Sequence, residues 1–164
     1  MDYECLMVAK GFISQALNEL HKAALSLSHR DYASSLHSSK SSIMSSLRAL
    51  FSIIKGMPPK GLEIRREDLE EVLNKIPYEL RDFVMDTFFF SYMYWLDRDL
   101  DEAHATEEEA ELALEYAWKC HRGVLMILNR IESHLKSISE ELQERNSRLN
   151  LNALDERAIR NTNT

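Results

Sequence analysis

Apolar residues recur at three- and four-residue steps through most of the chain, the spacing of one face of an α-helix. From Tyr3 to Ser28 the stripe is Leu6, Ala9 or Lys10, Ile13, Ala16 or Leu17, Leu20, Ala24 and Leu27. His29-Arg30-Asp31 is a short connector, and Asp31 is placed to cap the next helix. That helix runs from Tyr32 to Lys55 on Ala33, Leu36, Ile43, Leu47, Leu50 and Ile54, widened by Met44 and Phe51. Gly56 suits its C-terminal stop, and the Pro- and Gly-rich stretch 56–61 reads as a loop. Arg66 to Ile76 reads as a short helix with Leu69, Val72 and Leu73 inward, and Pro77 opens a further helix that reaches Asp97. Thr106 and Glu109 form a capping box for the last helix. Its stripe of Ala113, Tyr116 or Ala117, Cys120, Val124, Ile127, Ile131, Leu135, Ile138 and Leu142 is nearly a heptad seam. The pattern predicts an all-α fold: an antiparallel up-and-down bundle of four main helices plus one short helix. One domain spans 1–145, and the Asn-rich 146–164 reads as a flexible C-terminal tail.

Composition narrows the function. The chain has 164 residues, 45% hydrophobic and 29% charged, with 4 Gly and 3 Pro, which suits a globular domain of a few long helices. Two cysteines, Cys5 and Cys120, exclude a disulfide framework and a multi-cysteine zinc site. No apolar run is long enough for a membrane span, and the N-terminus lacks a secretory pattern, so a cytoplasmic protein with no membrane partner is expected. Neither a dinucleotide-binding nor a P-loop motif occurs. The histidines form no repeated ligand pattern, so neither a metal nor a cofactor is expected.

Charge is uneven within a net −7. Between His29 and Arg66 seven basic residues face two acidic ones; between Asp101 and Glu115 there are seven acidic residues and no Lys or Arg. The first segment offers phosphate contacts through Lys40, Arg48, Lys55 and Lys60. The bland alternative is two solvated faces. Eight serines lie between Ser34 and Ser46. Close helix packing explains them better than a nucleophile, because nothing aligns a base beside one of them. Aromatic residues from Phe83 to Trp95 surround the predicted fourth helix. One bundle can hardly cover them all, which implies a homodimer.

Arg98 and His104 are separated by five residues in the polar connector before the last helix. An Arg can hold a scissile phosphate while a His moves the ribose 2′-hydroxyl proton. With twelve Arg and six His such spacing arises readily by chance, and Arg30 with His37 is a second instance.

The segment DYASSLHSSKSSIMSSLRALFSIIKG, the aromatic FFFSYMYWLDRD and the following EEEAELALEYAWKCHRGVLMIL resemble the HEPN family, the higher eukaryote and prokaryote nucleotide-binding domains. The resemblance covers Tyr3 to Leu135. It implies a dimeric helical bundle that binds nucleotide or RNA, often partnered by a small nucleotidyltransferase in a toxin–antitoxin pair. RNase members carry Arg-x(4–6)-His near the start of the last core helix, the place Arg98 and His104 occupy here, whereas Arg30 and His37 do not. The resemblance thus implies a metal-independent endoribonuclease with Arg98 and His104 catalytic. The alternative is a non-catalytic protein–protein interaction module, which the aromatic fourth helix and the acidic last helix favour, while the acidic neighbours Asp97, Asp99, Asp101 and Glu102 repel an RNA backbone.

Overall fold

Two helices joined by three residues set the geometry of the fold: α1 (Tyr3–Ser28) and α2 (Tyr32–Lys55). The computed structural model describes residues 3–56, 66–75, 78, 81 and 102–162. Toward α2, α1 buries Leu6, Ala9, Ile13, Ala16, Leu20 and Ala23. The fully buried alanines step by seven residues, so the register selects Ala23, and Ala24, expected inward, is exposed.

Serines of α2 meet these alanines. Ser35 Oγ donates to the Ala23 carbonyl at 2.9 Å, and Ser42 Oγ donates to the Ala16 carbonyl at 2.8 Å. The two contacts advance seven residues on α2 while retreating seven on α1, so the helices are antiparallel. One step further, Ala49 comes level with Ala9, and both are fully buried. A serine hydroxyl reaches a neighbouring backbone only when the axes are close, near the lower end of the usual range of about 8–10 Å. Each carbonyl keeps its helical bond and uses its second lone pair for the serine, at a net gain of about 1 kcal/mol per bond. Packing therefore accounts for the serine-rich segment: Ser35, Ser38, Ser39, Ser42, Ser45 and Ser46 are all buried. Fourteen residues of α2 are buried, which makes it the central helix of the first unit.

The connector is built from backbone bonds. Asp31 N–H reaches the Ser26 carbonyl at 2.9 Å and Arg30 N–H the Leu27 carbonyl at 2.9 Å, a Schellman closure with Arg30 in the left-handed region at φ 61°. Asp31 then caps α2, its Oδ1 accepting from Ser34 N–H at 3.1 Å. Hydrogen bonds from Ser34, side chain before backbone, hold the Asp31 carboxyl below its ordinary value. At the other end Gly56 takes φ 68°, and Cys5 Sγ–H donates to its carbonyl at 2.7 Å.

Helix α3 (Arg66–Lys75) and a 3-10 turn at Glu102–His104 both lie against α2. The side chains of Leu69, Val72 and Leu73 lie outside the described residues, as does the expected fourth helix apart from Tyr78 and Arg81. The described residues thus hold three long helices and one short one, all α with no strand among them. The last helix, α4, runs Glu107–Thr162. Its capping box closes as expected: Thr106 N–H donates to Glu109 Oε2 at 3.0 Å, and Glu109 N–H donates to Thr106 Oγ1 at 3.2 Å. The seam of α4 is buried from Ala110 to Leu128. The chain divides there into two compact units, Met1–Leu128 and Asn129–Thr164. The helix continues through the region read as a flexible tail, because 146–162 holds Leu, Ala, Glu and Arg with no Pro or Gly. What ends is burial: every residue from 136 to 162 is exposed. No helix among the described residues is long and apolar enough to cross a membrane.

Overfilling the α1–α2 contact should be costlier than emptying it. Ser42→Leu is expected to destabilise by about 1–3 kcal/mol or more, because it forces the helices apart. Ser42→Ala, which loses only one hydrogen bond, should cost about 1 kcal/mol. Denaturant unfolding of both variants tests this, and equal losses would contradict the close-packed contact.

Candidate functional site

Because α2 is buried around most of its circumference, its solvent-facing residues are confined to a narrow strip. Lys40, Arg48 and Lys55 stand on that strip, each half-buried. They are eight and seven residues apart, which places all three within an arc of about 80° at 3.6 residues per turn. Long basic side chains can lie with their stems along apolar surface and their charged ends at the rim. The 3-10 turn that ends in His104 lies against this same helix, and His104 is exposed. Lys60 and Arg98 lie outside the described residues. His37 is exposed on α2, whereas most serines around it are buried.

The C-terminal end of the strip is already engaged. Lys55 Nζ sits 2.8 Å from Glu71 Oε2 on α3 and 4.9 Å from the centre of the Phe51 ring. Lys75 Nζ reaches Glu71 Oε1 at 2.9 Å. The hydrogen bond from Lys55, then that from Lys75, pulls the Glu71 carboxyl down to about 2. The carboxylate thus stays charged through the neutral and mildly acidic range. An exposed pair of this kind contributes little to stability, but a phosphate arriving at Lys55 must displace Glu71.

A second feature shows in neither ligand spacing nor an Arg–His pair. His121 lies on the buried stripe of α4 at 5% exposure, and among the described residues neither ring nitrogen has a hydrogen-bond partner. Its ring meets Trp118 edge-on at 6.0 Å, and Trp118 contacts His21 of α1 at 6.5 Å. Burial, then the charge of Arg122, then His21, lowers the His121 pKa below 6.5. The sequence signal was available: residue 121 falls between Ala117 and Val124 in the seam. Among the described residues, no three His, Cys, Asp or Glu side chains gather into a metal site.

Comparison with known families matches residues 9–122 to the HEPN domain. The match takes in most of α1, all of α2, the His104 turn and the first part of the buried stretch of α4. The chain belongs to the HEPN domain family. A solved structure similar to it is TT1696 from Thermus thermophilus, at 23% identity and a TM-score of 0.46, covering 72% of this chain and 96% of that one. Among curated protein sequences none matches.

A buried imidazole with a lowered pKa makes stability depend on pH in a stated direction. The folded protein binds fewer protons at His121 than the unfolded chain does, so stability rises with pH between the folded pKa and 6.5 and is lost on acidification through that window. The contribution cannot exceed about 1.4 kcal/mol per pH unit, the limit for one proton. His121→Leu, of similar volume and without unpartnered nitrogens, should flatten that part of the profile and keep or raise stability at pH 6. Thermal unfolding from pH 5 to 8 reads it; parallel profiles for the two proteins would refute the assignment.

Proposed function

We propose that this HEPN-domain protein binds the phosphates of RNA or a nucleotide along the basic strip of α2 and, as a homodimer, cleaves RNA without a metal. The observation that carries this reading is the placement of the His104 turn against α2, the helix that bears Lys40, Arg48 and Lys55. In the reaction His104 takes the proton of the ribose 2′-hydroxyl, and the 2′-oxygen attacks phosphorus. The bond to the 5′-oxygen breaks and that oxygen is reprotonated, leaving a 2′,3′-cyclic phosphate and a 5′-hydroxyl. Arg98 holds the phosphate and balances the charge that builds on its oxygens. A small nucleotidyltransferase in a toxin–antitoxin pair is the protein partner that fits this reading, with both proteins in the cytoplasm.

The second reading is a non-catalytic interaction module. Two observations favour it: Glu71 already neutralises Lys55, and seven acidic residues crowd positions 101–115 around His104. Acidic side chains there oppose the approach of an RNA backbone.

Incubation of mixed-sequence single-stranded RNA with the protein in EDTA decides between them. Cleavage to 2′,3′-cyclic ends is expected, reduced about 100- to 10,000-fold in His104→Ala and comparably in Arg98→Ala, with thermal unfolding unchanged. Lys40→Ala/Arg48→Ala should weaken RNA binding and reduce the salt slope by about 1.4, from two lost contacts to single-stranded phosphates. RNA left intact by the wild-type protein would rule out the RNase and leave the interaction reading.

A further inference from the structure

The seam of α4 continues beyond the residues matched to the HEPN domain and into the second unit, Asn129–Thr164. There Ile131, Leu135, Ile138 and Leu142 keep the three–four spacing of a coiled coil, and Leu149 follows one heptad after Leu142 with Arg145 at the core position between. Ile131 and Leu135 are half-buried, but Ile138, Leu142 and Leu149 are 41%, 53% and 64% exposed. A heptad repeat held over several turns is the pattern of a helix that packs along one side, and here that side is open.

We propose that this seam pairs with the same seam of a second copy of the chain, running antiparallel and centred near Gln143 and Glu144. Charge selects both the occupant and the direction. Residues 137–144 carry Glu140, Glu141 and Glu144 and no base, whereas 145–148 carry Arg145 and Arg148 and no acid. Two such helices are complementary only when they run in opposite directions. With Leu135, Leu142 and Leu149 at the first core position of each heptad, Ile138, Arg145 and Asn152 take the second. His134, Glu141, Arg148 and Asp155 then flank the core.

In the proposed register Glu141 faces Arg148 of the second copy, and Arg148 faces its Glu141. His134 meets Asp155, Ile138 packs on Leu149, and Leu142 covers the aliphatic stem of Arg145. A parallel pair would stack Arg145 on Arg145 in the core. An antiparallel pair shifted by one heptad packs Leu142 on Ile138 but sets Glu141 against Glu141 and His134 against Arg148. Flanking charges choose among registers in this way. Within one chain Arg148 makes a long contact with Glu144, at 3.9 Å and with both side chains largely exposed.

Sedimentation equilibrium of the full chain tests the proposal. Leu142→Glu/Leu149→Glu is expected to raise the self-dissociation constant at least tenfold while the unfolding of the first unit, Met1–Leu128, stays unchanged. Glu141→Arg and Arg148→Glu should each weaken association about three- to tenfold, and the combined Glu141→Arg/Arg148→Glu chain should return to the wild-type value. A wild-type protein that does not self-associate, or a leucine double variant that associates as well as wild type, overturns the pairing. Singles without effect, or a double swap that fails to recover, overturn the antiparallel register: neither the parallel nor the shifted pair brings residues 141 and 148 together.

Discussion

The structure depends on how closely α1 and α2 approach. Alanine or serine at every seventh position of both helices leaves no side-chain bulk between them, so serine hydroxyls of one bond the backbone of the other. Substituents only one atom past Cβ set the interaxial distance. That distance fixes how the remaining faces turn. Leu36, Ile43, Leu47 and Leu50 fill the core, and the half-buried strip with Lys40, Arg48 and Lys55 is the side turned away from it. The basic surface is a consequence of this packing: on a helix so extensively buried, charge has only one place to stand.

Serine suits that contact for a second reason. A serine in a helix interior bonds its own preceding turn or finds a partner elsewhere. Ser52 does the first, donating to the Arg48 carbonyl at 2.8 Å, while Ser35 and Ser42 do the second. Ser39 and Ser46 do neither: among the described residues their buried hydroxyls meet no partner, nor do the two nitrogens of His121. Each such group costs about 1–3 kcal/mol relative to a satisfied one. At His121 the ring stays neutral, since its charged form would be costlier still.

Most of the helical framework was legible from spacing alone, because burial on one face imposes its period on the sequence. Local chemistry was equally legible: Asp31 caps α2, Gly56 closes it, and Thr106 and Glu109 bond each other. The choice between Ala23 and Ala24 was not, because both alanines fit an apolar stripe of period 3.6 and only the partner helix imposes seven. His121 escaped for a related reason. A histidine in an apolar stripe carries no mark of whether its nitrogens will find partners. Lys40, Arg48 and Lys55 stand on one face of α2 as their spacing requires, and the His104 turn lies against that helix. The engagement of Lys55 by Glu71 joins residues sixteen apart in sequence, and no local pattern announces it.

The end of α4 shows why a seam in sequence and a core in structure are different things. From Ala110 to Leu128 the repeat coincides with burial; from Ile138 onward the same repeat faces solvent. An isolated helix gains nothing from placing leucines seven apart, and short lone helices are marginal in water. A helix that holds both its period and its fold without internal cover places the stabilising contact outside the chain. The sign change in charge between Glu144 and Arg145 sits at the middle of that exposed seam. An arbitrary partner would not need it there, whereas a second copy running the other way finds its complement on both sides of the same point.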